Sequence, residues 1–382
     1  MKITSINTYC FSSTYGNGKV FGQPKNVKTI TIIKICTKYT EYFGVGETYS
    51  GVYAPELVKP IVIYLSKFLV NQEIEDQNLF SRIRLIPFIS SNGIIKSILS
   101  ALEIAQLDLI GKIKKKPIFN LLNPKLSINR KVDVYYSGGS VIFNEEQIKI
   151  DVERALSKGF NAYKMRVGLK SIKNDIQRVK AARETIGSNN SLMVDAIMGT
   201  HKKKWDIKKS LDFIKLANKF KLTWLEEPLK PDDFNAYELL RSKTKIPIAF
   251  GESFTNFEDF KNSILINCSD ILQPDITHCG YHDAKNLVKF IKEKKIKLSM
   301  HVWGSPISFL ANMHFAIAYK KINYLEIPSV KLEFLNEIYS KKLKIEDGKL
   351  TYFNKTNGLG IDFDPAKLKK YKFIKGSGFS IN

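Results

Sequence analysis

The chain has 382 residues, of which 44% are hydrophobic and 25% charged, and its formal net charge is +23. This composition is typical of a folded protein with one large and one smaller domain, and it excludes a disordered chain. No uninterrupted apolar stretch is long enough to span a membrane, and the N-terminus has no signal-peptide core. The four cysteines are scattered without paired spacing. Together these features predict a cytoplasmic protein.

The basic charge raises the question of nucleic-acid binding, because clustered lysines and arginines displace counterions from phosphate backbones. The lysine runs are short and spread over the chain, for example at 114–116 and 202–204. We interpret them as a solvated surface that draws anionic small molecules towards a site, with no nucleic acid and no membrane as partner. Nucleic-acid binding remains the alternative, and it predicts salt-dependent retention on DNA without a need for Mg²⁺.

Residues 1–128 are predicted to form an α+β capping domain. Alternating sequence at 29–35 and 42–47 indicates hairpin strands, and apolar residues between 94 and 109 recur with helical spacing. Residues 331–382 are too few for a separate domain. We expect them to return to the capping domain.

Residues 129–330 are predicted to form a (β/α)₈ barrel of the TIM type. Strand candidates occur near 132, 161, 192, 223, 247, 270, 297 and 323, with helical segments between them. In such barrels the carboxyl ends of the strands build the active site. Polar residues at those ends are therefore candidates for chemistry.

Three acidic residues, Asp195, Glu226 and Glu252, each close an apolar strand-like run. The gaps between them (226 − 195 = 31; 252 − 226 = 26) each fit one strand and one helix, so the carboxylates are expected to converge at one end of the barrel. Three carboxylates in a low-dielectric pocket require a compensating cation, and oxygen ligands indicate a hard metal such as Mg²⁺.

The other strand ends carry further ionisable groups. Lys164 and Arg166 lie on the same face of one strand because side chains alternate, and they are expected to bind an anionic substrate oxygen. His301 ends a later strand, and Asp275 lies one strand earlier at the same height. A hydrogen bond between them would fix the histidine tautomer, so that the other ring nitrogen can remove a proton.

Taken in order, these strand ends resemble the mandelate racemase subgroup of the enolase superfamily, and in particular its acid-sugar dehydratases. The similar motifs are Lys164-x-Arg166, Val194-Asp195-Ala196, Trp224-Leu225-Glu226-Glu227-Pro228, Gly251-Glu252-Ser253, Gln273-Pro274-Asp275 and Met300-His301. The likeness extends to residues 101–112 in the capping domain and to 358–360 near the C-terminus. It therefore covers nearly the whole chain.

The resemblance implies a modified barrel whose carboxylate triad binds one Mg²⁺ per active site. The metal would chelate a substrate carboxylate and stabilise the enediolate formed on loss of the α-proton. Lys164, Arg166 and a protonated Glu326 would supply hydrogen bonds to it. The resemblance also implies a homo-oligomer, either a dimer or an octamer.

Capping-domain loops set the substrate in this family. We therefore assign substrate contacts to four aromatic residues, which are Tyr15, Phe21, Tyr53 and, at the end of the first barrel strand, Tyr136.

Two residues depart from the family pattern. Racemising members use a second lysine base where this chain has Arg166, and a guanidinium stays protonated at any ordinary pH. Lys164 is left open as a substitute for that base. With His301 as the one strong base, the sequence favours dehydration of an aldonic or aldaric acid to a 2-keto-3-deoxy acid. A cycloisomerase, epimerase or racemase acting on a carboxylate or sugar lactone remains the alternative, and a barrel without activity is a further one.

The second departure is Ile197, where many relatives have an asparagine. Another polar group would therefore have to make the contacts that the asparagine makes beside the metal. His201, in the loop that follows, is left open as that group.

Overall fold

The structure, a computed structural model, describes residues 1–15, 27–86, 92–126, 130–329, 333–339, 344–351 and 356–379. Phe21 lies outside the described residues. The chain begins with an antiparallel sheet in which the middle strand pairs with both others. Its strands are β1 (Ile3–Thr14), β2 (Val27–Thr37) and β3 (Phe43–Glu47).

Helices cover this sheet. They are α1 (Ser50–Tyr53), α2 (Pro55–Leu69), α3 (Ser81–Arg84), α4 (Gly93–Ile113) and α5 (Ile118–Leu122). The helix predicted from the apolar spacing at 94–109 is α4. It approaches β3 closely at Gly44 and Gly46, where an added Cβ would lie 1.9 Å from a carbonyl oxygen of α4. The two glycines are therefore required for this packing.

A closed barrel of parallel strands follows, as the sequence predicts. The strands are β4 (Lys131–Ser137), β5 (Ala162–Arg166), β6 (Ser191–Asp195), β7 (Trp224–Glu226), β8 (Ile248–Phe250), β9 (Ile271–Leu272), β10 (Lys297–Met300) and β11 (Ile322–Pro328). Each pairs with the next, and β11 pairs with β4 to close the ring. This is the modified TIM barrel expected from the strand spacing.

The barrel helices alternate with the strands. They are α6 (Glu145–Ser157), α7 (Ile172–Ile186), α8 (Ile207–Ala217), α9 (Phe234–Ser242), α10 (Phe257–Leu265), α11 (Ile276–Phe290) and α12 (Pro306–Ala318). Each begins after an Asn, Ser or Asp whose side chain accepts a backbone N–H of the first turn. Two of these caps, Asp275 and Ser305, also belong to the candidate site described below.

The barrel interior is layered. The lower layer is a cluster of buried apolar and aromatic side chains, which are Tyr135, Ala162, Met193, Trp224, Ala249 and Ile271. Because side chains alternate along a strand, the residue two positions later points into the same interior, closer to the carboxyl end. On β5, β6 and β7 those residues are Lys164, Asp195 and Glu226. The charged side chains thus lie directly above an apolar layer of the barrel interior.

The C-terminal residues do not all return to the capping domain. The hairpin of β12 (Lys344–Glu346) and β13 (Lys349–Thr351) instead pairs with barrel strand β4. A short helix, α13 (Leu335–Ile338), precedes it. Residues 356–379 do contact the capping domain, through bridges from Gly358 to Pro117 and from Lys372 to Phe11. None of the helices within the described ranges combines the length and apolar character needed to cross a membrane.

A buried histidine lies where the C-terminal segment meets the barrel. His314 on α12 stacks on Phe119, and its Nε2 is 3.3 Å from the carbonyl oxygen of Leu359. Burial lowers the pKa of His314 to about 4. Between pH 6.5 and 4 the unfolded chain therefore binds a proton that the folded chain excludes, and the folded state loses stability as the pH falls.

We expect this histidine to remove roughly 3 kcal/mol of unfolding free energy across that interval. Urea unfolding at pH 7 and pH 4.5 measures the loss, and the His314→Gln variant should show a smaller one. An equal loss in the variant would contradict the assignment.

Candidate active site

The three predicted metal ligands lie at the carboxyl ends of consecutive strands. Asp195 and Glu226 are paired in register and are buried, and the Glu252 side chain is 18% exposed. Burial raises the pKa of Asp195 well above its ordinary value, and the charge of Glu226 raises it further. Burial likewise raises the pKa of Glu252. The carboxylates therefore oppose each other's ionisation, as the sequence predicts.

Lys164 and His301 lie beside these carboxylates and balance part of their negative charge. The Lys164 ammonium lies 2.6 Å from Glu226 Oε1 and 3.7 Å from Asp195 Oδ2. His301 Nε2 lies 3.3 Å from Glu252 Oε2. In this arrangement no three acidic, histidine or cysteine side chains of the described residues are close enough to enclose a metal ion. The donor set nevertheless fits a hard divalent cation, because it is all oxygen and carries charge that burial disfavours.

Lys164 and Arg166 are both brought to the site. Burial alone would lower the pKa of Lys164, but Glu226 and Glu326 hold it well above its ordinary value, so the lysine is an ammonium rather than a base. The Arg166 guanidinium donates to Gly138 O at 2.9 Å and to Ser137 Oγ at 3.0 Å. Both cations line the cavity. They are placed to bind anionic oxygens.

The surroundings of Glu326 favour its ionised form over the protonated acid that the resemblance implies. Burial would favour the neutral acid, but Lys164, His301 and Arg166 together lower the pKa of Glu326 to about 2. The carboxylate accepts hydrogen bonds from Tyr135 Oη and the Val302 N–H, both at 3.1 Å. Glu326 does not line the cavity. It anchors Lys164, whose ammonium is 3.2 Å away, rather than donating to substrate.

The predicted histidine–aspartate pair is present. His301 Nδ1 lies 2.9 Å from Asp275 Oδ2. The other oxygen, Oδ1, accepts from the Thr277 N–H and hydroxyl and from the Asn312 amide. Burial would raise the pKa of Asp275, but the hydrogen bond from His301 and these other bonds lower it. An ionised Asp275 holds the proton on Nδ1, so Nε2 is the nitrogen that can act as a base.

Burial opposes protonation of His301, but Glu252 and then the Asp275 hydrogen bond outweigh it and raise its pKa to about 9. The imidazole is 5% exposed and lines the cavity. His301 can therefore take up a proton and retain it as a buried imidazolium.

The cavity above these residues has a volume of about 460 Å³, within the range of roughly 300–1,000 Å³ that holds small-molecule ligands. Its charged lining residues include Lys164, Arg166, Asp195, Glu252 and His301, and also Asp151, Arg154 and Glu333. One side of the cavity is aromatic and comes from distant parts of the chain, namely Tyr15, Tyr49, Tyr53, Trp303 and Phe379. Of these, the sequence predicts Tyr15 and Tyr53.

The family known as "Enolase C-terminal domain-like" matches residues 147–367, which is more than half of the chain. The chain belongs to the enolase superfamily. Among its relatives is the L-talarate/galactarate dehydratase of Salmonella typhimurium, 27% identical over 71% of this chain and 64% of that protein. The match thus spans less than two thirds of that relative. The arabinonate dehydratase of Saccharolobus solfataricus is 27% identical over 73% of each chain.

Solved structures show the same fold. The 3,6-anhydro-D-galactonate cycloisomerase of Zobellia galactanivorans aligns with a TM-score of 0.85 and 28% identity. The alignment covers 97% of this chain and 99% of the cycloisomerase chain. A racemase from Streptomyces coelicolor with bound magnesium aligns with a TM-score of 0.84 and 23% identity, covering 97% of this chain and 99% of that one. The similar proteins are therefore dehydratases, cycloisomerases and racemases, and this chain is an enzyme of that group.

Strand β4 directs Tyr135, and not Tyr136, into the barrel interior. Tyr136 does not line the cavity and packs outside the barrel against Phe160 and Tyr163. Tyr135 points inward instead, with its hydroxyl on Glu326 and its ring 5.5 Å from the Lys164 ammonium. The substrate contact predicted for Tyr136 is therefore wrong.

Ile197, at the position of the family asparagine, supplies a backbone group. Its N–H donates to Asp195 Oδ1 at 2.8 Å, and its side chain lines the cavity. His201 is buried outside the cavity beside the backbone of Val167. The contact to Asp195 is thus made by main chain, and His201 is not its substitute.

Ile197 has a φ of +45°, which is a strained conformation for a β-branched residue. Asparagine adopts this region readily. We expect Ile197→Asn to raise the free energy of unfolding by about 1 kcal/mol, measured by urea denaturation without metal. Ile197→Val keeps the β-branch and should give no gain. Equal stabilities for the two variants would contradict the strain at this position.

Proposed function

We propose that this protein is a Mg²⁺-dependent acid-sugar dehydratase. It removes the proton α to the carboxylate of an aldonic or aldaric acid and expels the β-hydroxyl as water, which gives a 2-keto-3-deoxy acid. The observation that carries the proposal is the buried His301–Asp275 pair at 2.9 Å, which faces a cavity also lined by Lys164 and Arg166. Dehydratases among the relatives support it.

The two side chains of the Lys164-x-Arg166 motif are both cations here, so neither is placed to act as a second base. Lys164 is an ammonium held by Glu226 at 2.6 Å and Glu326 at 3.2 Å, and Arg166 is a guanidinium. Two-base racemisation needs a neutral acceptor on the face opposite His301. Elimination needs only one residue, which accepts the α-proton and returns it to the leaving group.

The steps follow from the contacts of His301. Asp275 holds the Nδ1 proton, so Nε2 removes the α-proton of the substrate. The resulting imidazolium then protonates the β-hydroxyl, the carbon–oxygen bond breaks, and water leaves. The enol product rearranges to the keto acid. Base and acid are thus the same nitrogen, which requires the proton and the hydroxyl to leave from the same face.

Asp195, Glu226 and Glu252 would hold Mg²⁺, which supplies positive charge to the substrate carboxylate as its α-carbon loses a proton. Bound magnesium in the Streptomyces coelicolor racemase supports this assignment. Arg166 and Lys164 add fixed positive charge from the barrel interior. The aromatic side chains present apolar surface to the cavity, and a low local dielectric strengthens these electrostatic contributions.

A library of aldonic and aldaric acids incubated with the protein tests the function. We expect at least one acid to give a 2-keto-3-deoxy product in the presence of Mg²⁺ and none after EDTA treatment. A product whose mass is lower than that of its substrate by one water identifies dehydration. No conversion of any member of the library would contradict the proposal.

One observation favours a second candidate, a cycloisomerase that opens a cyclic ether acid. Tyr49, Tyr53, Trp303 and Phe379 give one side of the cavity an aromatic surface, which suits the apolar face of a ring better than a chain of hydroxyls. The Zobellia galactanivorans cycloisomerase supports this candidate. The same base would act, but the β-oxygen that leaves would belong to the ring. The product would then have the mass of its substrate.

A further inference from the structure

The segment 301–305 joins strand β10 to helix α12 and carries both the proposed base, His301, and the cavity residue Trp303. Two charged side chains of the capping domain reach it. Lys28 on β2 donates from Nζ to the Trp303 carbonyl oxygen at 3.0 Å, and the ammonium lies 3.9 Å from the centre of the Trp303 ring. Lys28 is only 1% exposed. It therefore binds the main chain and the side chain of one residue.

Glu47, at the end of β3, binds the other end of the segment. Its carboxylate accepts from the Ser305 N–H at 3.1 Å and the Ser305 hydroxyl at 2.5 Å. It also accepts from the Ser308 N–H at 3.2 Å. These N–H groups belong to the start of α12, where the helix dipole favours a negative charge. The capping domain thus completes the N-terminus of a barrel helix.

Trp303 transmits this contact to the base. Its indole N–H donates to the Tyr15 hydroxyl at 2.8 Å, and its ring centre lies 6.2 Å from that of Tyr49. The Tyr49 ring meets the His301 imidazole edge to face at 5.7 Å. Lys28, Trp303, Tyr49 and His301 therefore form a continuous packed chain.

Burial of the charged Lys28 and Glu47 side chains does not by itself favour the folded state. Burial lowers the pKa of Lys28 to about 7, although Glu47 favours its charged form. Replacing buried charges by apolar side chains is often neutral or stabilising in proteins. A buried lysine at this position is therefore better explained by the geometry that it imposes on 301–305 than by a contribution to folding.

We propose that Lys28 and Glu47 are positioning residues for His301, a role that rests on the proposed function of His301 as the base. They hold the 301–305 segment from the capping domain. The position of the base therefore depends on how the capping domain packs against the barrel. Neither side chain lines the cavity, and neither is assigned to substrate or metal.

Lys28→Met tests this role. We expect kcat to fall by about 10- to 100-fold, because a base displaced by an ångström loses catalysis on this scale. KM and Mg²⁺ affinity should change by less than about threefold, which is well below the fall in kcat. Lys28→Arg, which keeps a cation and a donor, should recover most of the activity. The control is Lys34→Met on the same strand, where the ammonium covers the Phe43 ring outside the site.

A fluorine NMR measurement needs no substrate. The chain has three tryptophans, so 5-fluorotryptophan gives three resonances, and Trp303→Phe assigns one of them. Lys28→Met and Glu47→Gln should each shift or broaden the Trp303 resonance and leave those of Trp205 and Trp224 in place. Lys34→Met should change none of the three.

An unchanged Trp303 resonance in both variants, or an undiminished kcat in Lys28→Met, would overturn the positioning role. If the wild-type protein converts no acid, the proposed function fails. The fluorine spectra then decide separately whether Lys28 and Glu47 fix Trp303.

Discussion

Replacing His301 with asparagine is expected to lower turnover by at least about 10³-fold, within the range that general acid–base residues contribute. The asparagine amide can still donate to Asp275, so the local packing is preserved while the proton acceptor is lost. Mg²⁺ affinity and thermal stability should stay close to those of the wild-type protein. Initial rates of keto-acid formation measure the effect.

The matched control is His314→Gln, which replaces a buried histidine that does not line the cavity and should retain wild-type rates at pH 7.5. A second measurement is the exchange of the substrate α-proton for deuterium in deuterium oxide. If exchange persists in His301→Asn, another base must act. The one-base mechanism would then be wrong.

Replacing Asp195 with asparagine is expected to weaken Mg²⁺ binding by on the order of 100-fold or more, because even indirect partners of metal ligands are worth 10- to 100-fold. The metal-free variant should be at least as stable as the wild type, since burial and Glu226 both oppose the Asp195 charge. Melting temperatures with and without 5 mM Mg²⁺ would show the stabilising effect of the metal lost in the variant.

Asp212→Asn on the exposed face of α8 is the control, because it makes the same change of charge away from the site. It should keep the Mg²⁺-dependent rise in melting temperature. Undiminished Mg²⁺ stabilisation in Asp195→Asn would place the metal elsewhere.

The barrel and its charged strand ends could be predicted because their signals are local. Apolar runs closed by an acid, as at Asp195 and Glu226, show the strand, its length and its carboxyl end together. The Lys164–Arg166 pair follows from the alternation of side chains within one strand. The His301–Asp275 contact required only that neighbouring strands end at the same height.

Other features depend on three-dimensional surroundings. The choice between Tyr135 and Tyr136 depends on which face of β4 turns inward when the barrel closes, because both are aromatic and the strand is buried on both faces at this end. The ionisation of Glu326 depends on Lys164 and Arg166 on β5 together with His301 after β10, which are far apart in the sequence. Similarly, the aromatic side of the cavity combines Tyr49, Trp303 and Phe379, which are far apart in sequence and have no shared motif.

The central claim is Mg²⁺-dependent removal of an α-proton by a single base, followed by loss of water. Proton NMR of an acid sugar that the protein converts, recorded in deuterium oxide with Mg²⁺ and then with excess EDTA, tests it directly. The α-proton signal should disappear as the 2-keto-3-deoxy product forms with deuterium at carbon 3, and EDTA should stop both changes. Product formation that continues at the same rate in EDTA would contradict the account.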